Sequence, residues 1–310
     1  MSNLATPVTF PYHRVIVAGI GALGSEVVKT LGLLGCEAVL LVDPEIVEEV
    51  NIARSILYRD KYSLGRAKVD CALEYFRVAF PRTNWAGTPW EIADANEEII
   101  SQSDLIFTCV DTDLARTETA MLSNRHGIPV CDGGLGGYSH SLGRVTWLPG
   151  GAGACFSCLL TSRRRAEILS LWESSIYSCW MPNDQESPRW SSVPSMASMI
   201  GGLQVETALR ARSKTSAFSI EIDLDSDPIS RTIRHPKSQG CPLHDALEDG
   251  ALSFPICQRA ECRSCGFTFE PQRRIAWLKR RGSCPVCASR NLSVRESQTH
   301  NADKPVGKFA

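Results

Sequence analysis

The 310-residue chain predicts an α/β fold, a doubly wound and mostly parallel sheet, followed by a small C-terminal module stapled by metal. Three observations carry this expectation. Short apolar runs alternate with helix-like stretches, a glycine-rich turn joins the first run to the first helix, and paired cysteines crowd the C-terminal part.

Val15-Ile16-Val17-Ala18 is apolar throughout, as expected of a strand buried on both faces. Gly19-Ile20-Gly21-Ala22-Leu23-Gly24 comes next and opens a helical stretch from Ser25 to Leu34. In that setting Gly19, Gly21 and Gly24 let the backbone turn sharply and approach phosphate at a helix N-terminus. The second strand, Ala38–Val42, ends at Asp43, where an acid can accept hydrogen bonds from a ribose. A dehydrogenase would begin the same way. The residues past Asp43 suit a triphosphate better: Asn51, Arg54 and Gly65-Arg66-Ala67-Lys68 bring two fixed cations to the mouth of one site. Leu105–Val110 reads as a strand delivering Asp111 to the carboxyl edge of the sheet, where an acid can hold magnesium against phosphates. Pro129–Cys131 and Arg144–Trp147 complete the expected strands, and Ser195–Arg212 reads as a late helix.

These residues resemble the ubiquitin-activating-enzyme-like superfamily, which includes the ThiF, MoeB and HesA proteins. The resemblance runs from about Arg14 to His244. It rests on the glycine motif, the Asp43/Asn51/Arg54 spacing, Gly65-x-x-Lys68, Asp111 with Arg116, Asp132-Gly133-Gly134-Leu135-Gly136-Gly137, Cys155-x-x-Cys158 and the helix from Ile200 to Glu206. It implies a Rossmann-like ATP-binding domain that activates a carboxylate as its acyl-adenylate, releasing pyrophosphate. Carried over, Asp43 would bind ribose, Asn51, Arg54 and Lys68 would contact the phosphates, and Asp111 would organise magnesium. The expected substrate is the C-terminus of a small β-grasp ubiquitin-like or sulfur-carrier protein, with a conjugating enzyme or sulfurtransferase downstream. A small-molecule, peptide or tRNA carboxylate is the alternative, and a non-catalytic scaffold is a third class. Relatives dimerise, so a homodimer is expected by resemblance. Several positions depart from the family. Ser55 stands where relatives often have glutamine, Thr112 and Asp113 come after Asp111 where asparagine is common, and the dozen or so residues before the first strand, with Pro7 and Pro11, leave the N-terminal arginine of relatives either missing or replaced by another element.

The 43% apolar content suffices for a sizeable core, and no run approaches the roughly 20 residues of a membrane span. With no secretory signal pattern at the N-terminus, a cytoplasmic location is expected. Thirteen cysteines in such a chain read as thiols and metal ligands, not disulfides. Cys36, Cys71, Cys109 and Cys131 lie in apolar patterns and read as core residues. Cys155 and Cys158 can pair with Cys241 and His244 in a split zinc site; the family closes this site with a second Cys-x-x-Cys, and zinc accepts histidine in the last place. Cys262, Cys265, Cys284 and Cys287 form two knuckles of a zinc ribbon, with Phe267, Phe269, Ile275, Trp277 and Leu278 as its small core. The domains are therefore expected at 12–246 and 251–292, with a disordered tail at 293–310. Ala251 to Ala310 carries a net charge of +7, leaving −8 for the rest. A basic module beside an acidic body suggests docking on an acidic protein surface ahead of nucleic acid, or simply a solvated basic face. Cys179, in the polar segment after the first cysteine pair, reads either as the acceptor of the activated acyl group or as a packing cysteine.

Overall fold

The computed structural model describes residues 10–58, 61–95, 97–136, 140–151, 153–168, 193–241, 243–244, 256–257, 259–269, 273–274 and 282–295. The chain divides into two compact units, Met1–Ile168 with Ser187–Leu247, and Leu169–Glu186 with Glu248–Ala310.

The first unit is built on an eight-stranded sheet. Its strands are β1 (Arg14–Ala18), β2 (Ala38–Val42), β3 (Asn84–Thr88), β4 (Leu105–Thr108), β5 (Val130–Leu135), β6 (Leu142–Leu148), β7 (Ala217–Asp223) and β8 (Ser230–His235), in the order β3-β2-β1-β4-β5-β6-β7-β8. β3 through β5 pair in parallel, while β6, β7 and β8 extend the sheet antiparallel. The chain order reverses between β1 and β4, so the loops leaving these two strands share a crevice at the carboxyl edge.

The helices are α1 (Ala22–Leu33), α2 (Glu49–Ile52), α3 (Lys68–Ala79), α4 (Glu97–Ser101), α5 (Asp113–His126), the helical residues 162–168 (α6) and α7 (Pro194–Ala211). α1 buries Leu23, Val27, Val28 and Leu31, one stripe at helical spacing. α7 crosses it where Gly201 meets Glu26 and Leu23, and a Cβ at Gly201 would lie 2.8 Å from that of Glu26. α5 is set by its ends: the Thr112 hydroxyl accepts the Ala115 amide at 3.2 Å, and Gly127 stops the helix in the left-handed region. On β5, Asp132 faces α5 and the next residue, Gly133, faces Gln204 of α7, so the sheet is covered on both faces. The core joins Val15, Val17, Leu41, Phe76, Trp85, Leu105 and Phe107, with Cys36, Cys71 and Cys131 buried and Cys109 half-buried.

Several expected boundaries shift. β4 ends at Thr108, placing Asp111 in the connection to α5 instead of at a strand end. β5 runs on through Gly133 and Gly134, which the sequence reads as a glycine-rich turn. β3, β7 and β8 complete the sheet beyond the strands expected from apolar runs. Among the described residues no helix is long and apolar enough to cross a membrane.

The second unit holds short strands β9 (Ile256–Cys257), β10 (Arg259–Cys262), β11 (Thr268–Phe269), β12 (Arg273–Arg274) and β13 (Leu292–Arg295). β10 pairs antiparallel with β11 and β13, and β9 with β12. Phe267 stacks on Phe269 but is 42% exposed, so it caps the module's surface and not a core. Ile275, Trp277 and Leu278 lie outside the described residues.

Candidate functional site and metal centres

The three glycines of the loop after β1 have three different physical reasons. Gly19 sits at φ +89°, and a Cβ there would lie 2.6 Å from the Cys109 carbonyl oxygen. A Cβ on Gly24 would lie 1.9 Å from the Gly19 carbonyl oxygen, so only glycine lets α1 start this close to the loop. Gly21 is different. It precedes α1 at φ −75°, and a Cβ would meet nothing within 4 Å. No side chain caps this helix and no acid lies in its first turn. The first amides of this helix carry the positive end of its dipole, where an anion is favoured.

Around this loop the chain assembles a polar cluster. Asp43 comes directly after β2 and is 3% exposed; its Oδ2 accepts the Ile20 amide at 2.6 Å and its Oδ1 the Glu45 amide at 2.8 Å. Burial pushes the Asp43 carboxyl up, against the pull of the Lys68 ammonium and of these two amides. Tyr58 donates its hydroxyl to the Ile20 carbonyl at 2.5 Å, and burial raises that phenol strongly. Lys68, 5% exposed, is ion-paired with Glu45. A short clasp aims it there: the amides of Val47 and Lys68 donate to the carbonyls of Arg66 and Glu45 at 2.8 and 3.0 Å, and Gly65 turns at φ +76°.

Asn51 spends its Oδ1 on the Glu48 amide at 2.8 Å, closing a capping box at α2; its side-chain Nδ2 has no partner among the described residues. Arg54 is half-buried, and its guanidinium has no hydrogen bond or ion pair among the described residues. Asp111 is exposed and likewise carries no hydrogen bond or ion pair among them. The structure thus joins the glycine loop to Asp43 by a direct hydrogen bond, and Lys68 to Asp43 through Glu45. Arg54 lies four residues before Tyr58, which is tied to that loop, and Asp111 two residues past Cys109, which packs on Gly19.

Sequence reasoning passed over Glu45 and Tyr58, and assigned no task to Arg116, Asp132 or Gln204. Buried Asp132 accepts the Thr108 hydroxyl at 2.8 Å and Arg116 Nε at 2.9 Å through Oδ1, while its Oδ2 has no partner among the described residues. Arg116 also donates to the Gly133 carbonyl at 3.2 Å; burial opposes its charge, but Asp132 outweighs this and raises its pKa. Gln204 reaches in from α7 and donates to the carbonyls of Thr108 and Cys131 at 3.1 and 3.0 Å. These contacts lock β4 to β5 and to both flanking helices, directly behind the connection that carries Asp111. Arg116 five residues past Asp111 was the available signal.

Two clusters can each hold a zinc ion. In the first, the sulfurs of Cys155 and Cys158 are 3.8 Å apart, those of Cys155 and Cys241 also 3.8 Å, and Cys158 Sγ is 3.4 Å from His244 Nε2. Tetrahedral zinc with bonds of about 2.3 Å to sulfur spaces its sulfurs by roughly 3.8 Å. Without an ion, the crowding of Cys158 and Cys241 drives the Cys155 thiol far up. Three of these ligands are buried, and Arg165 braces the site by donating to the Ser157 and Leu160 carbonyls at 3.1 and 3.3 Å. The second cluster is Cys262, Cys265, Cys284 and Cys287, with two sulfur pairs at 3.6 Å. Cys179 and the basic residues Lys279, Arg280 and Arg281 lie outside the described residues.

A mostly parallel sheet with a glycine loop and an uncapped helix start at its switch point defines a Rossmann-like α/β fold, in which ligands sit at that crevice. Residues 11–242 match the ThiF family, and the chain belongs to that family. It is 34% identical over 113 residues to adenylyltransferase and sulfurtransferase uba4 of Aspergillus niger, covering 35% of this chain and 23% of that protein. It is 26% identical over 160 residues to the Nedd8-activating enzyme E1 catalytic subunit of Drosophila melanogaster, covering 47% and 35%. The chain thus spans well under half the length of these relatives. E. coli MccB, solved with ATP, shares the fold at a TM-score of 0.54 and 14% identity over 75% of this chain and 66% of that one. PaaA does so at 0.51 and 20%, over 73% and 64%.

Proposed function

We propose that the chain is an ATP-dependent adenylyltransferase that activates the C-terminal carboxylate of a small ubiquitin-like or sulfur-carrier protein. The observation that carries this reading is the open, uncapped start of α1 beside buried Asp43 and Lys68. The α1 amides would take a phosphate, and Asp43 would accept from ribose on the lone pairs its two amide bonds leave free. Lys68, held by Glu45, would turn donors to the phosphates, with Arg54 and the Asn51 amide as further donors. Asp111 offers the exposed, unpaired carboxylate that suits magnesium, which when bound would neutralise phosphate charge. Fixed cations stabilise charge as the acid's oxygen bonds to the α-phosphorus and the bond to pyrophosphate breaks.

In the same proposal the Cys179 thiolate attacks the acyl carbon and AMP departs, leaving a thioester that a conjugating enzyme would take up; with a sulfur carrier, a Cys179 persulfide whose outer sulfur comes from a sulfurtransferase's persulfide would attack instead, and AMP would again depart. The chain would act as a homodimer. Kinship with uba4 and the Nedd8-activating subunit supports a protein substrate. A second reading, adenylation of a peptide or other small carboxylate, fits the fold shared with MccB. ATP–pyrophosphate exchange tests the choice. Exchange that requires a β-grasp protein with an intact terminal glycine is expected; exchange with short peptides alone would favour the second reading, and none with any carboxylate would refute both.

A further inference from the structure

The four-cysteine cluster of the second unit lies beyond residues 11–242, the part matched to the family, and its construction differs from that of the first metal centre. It consists of two copies of one knuckle. In the first, the Gly266 amide donates to the Cys262 carbonyl at 2.8 Å, and the Cys262 amide to the Phe267 carbonyl at 2.8 Å. In the second, the Ala288 amide donates to the Cys284 carbonyl at 2.9 Å, and the Cys284 amide to the Ser289 carbonyl at 2.8 Å. The residue after each second cysteine adopts the left-handed region, Gly266 at φ 73° and Ala288 at φ 54°. Ala288 is the sole non-glycine residue with positive φ among those described. A side chain held in that conformation indicates a turn dictated by its surroundings, here by two sulfurs that must face one ion. The Val286 amide also points at Cys284 Sγ, at 3.4 Å, as an amide does toward a thiolate. Ser264 and Ser289 hydroxyls at 2.8 Å tie the two knuckles together.

Among the described residues few other groups hold this unit together. Past residue 244 its buried apolar residues, among those described, are Ala260, Cys262 and Cys284, and two of these three are ligands. A module of about 40 residues seldom offsets the entropy of ordering its chain by burial alone, and ion binding would supply the difference. The ligands are unequally covered: Cys262 and Cys284 are buried, while Cys265 and Cys287 are exposed. In the first centre Cys155, Cys241 and His244 are buried and Cys158 is half-buried, beneath a large core.

We propose that the C-terminal cluster is a separate zinc site whose ion exchanges with solvent ahead of the other, so that the second unit folds and unfolds with zinc supply while the first unit keeps both its metal and its structure. A competing chelator can displace the exposed thiolates of Cys265 and Cys287 one at a time, and each step loosens the knuckle that shields the remaining pair. The first centre offers one partly open ligand, so its release requires the larger unit to open.

The full-length protein, purified with zinc, should hold two equivalents by elemental analysis. Challenged with a chromogenic pyridylazo chelator, it should release them in two phases of one equivalent each. Limited proteolysis after the early phase should cut within 256–295 and spare 11–168 and 193–242. The Cys265→Ser/Cys287→Ser variant should hold one equivalent and lack the early phase, whereas Cys265→His, which keeps a ligand, should retain both ions. Release of both ions in one phase would overturn the proposal. So would an early phase that persists in the double serine variant, or one zinc per chain in the unaltered protein.

Discussion

Gly21→Ala separates nucleotide binding from folding more cleanly than any other change in the loop. Gly21 has φ −75°, which alanine adopts without strain, and its Cβ would have no neighbour within 4 Å. The folded state should therefore tolerate the methyl group, with a stability change within about 1 kcal/mol of either sign. The methyl would stand where the phosphate must approach the first amides of α1. Losing one charge-assisted hydrogen bond costs about 1.5–3 kcal/mol, a fall in ATP affinity of about 10- to 150-fold. Gly24→Ala is the control: its Cβ would lie 1.9 Å from a backbone oxygen, and such overpacking costs about 1–3 kcal/mol or more in stability. Titration calorimetry with ATP and thermal unfolding, run on both variants, give the two readouts. Unchanged ATP affinity in Gly21→Ala, or unfolding of that variant with Gly24→Ala unaffected, would refute this account of the loop.

Three further outcomes rest on contacts elsewhere in the first unit. Arg116→Met leaves Asp132 buried with its charge uncompensated and should cost about 3–5 kcal/mol in denaturant unfolding, whereas Arg116→Met/Asp132→Asn should recover a large part of that loss. Burial lowers His235 below its ordinary pKa of 6.5. The unfolded chain then binds more protons than the folded one in that range, so stability should fall as pH drops through and below 6.5, and His235→Gln should flatten that slope in urea titrations. His244→Cys should keep the first zinc and His244→Ala should lose it, as read by metal content of the purified protein.

The sequence disclosed those parts of the molecule whose physics is local. Continuous apolar runs marked β1 and β2, the glycine spacing marked the loop, and Cys-x-x-Cys pairs marked both metal clusters. What it concealed is decided by residues far apart in the chain. Gly133 and Gly134 look like a turn, yet both lie in β5 paired with β6, and Gly133 must be glycine because a Cβ there would lie 2.3 Å from the Gln204 side chain. β8 escaped notice because it is an edge strand of polar and charged residues, Ser230 to His235. Tyr58 acquires its place only through a hydrogen bond to Ile20, 38 residues away in sequence. Asn51 shows the reverse case, since much of what its spacing suggested is spent on capping α2.

Equilibrium dialysis of labelled ATP against the purified chain, with Arg54→Ala and Lys68→Ala alongside, bears most directly on the central claim. One ATP bound per chain, and binding sharply weakened in both variants, is the expected result. A chain that binds no ATP, or variants that bind it as well as the parent, would contradict the assignment of this crevice to a triphosphate.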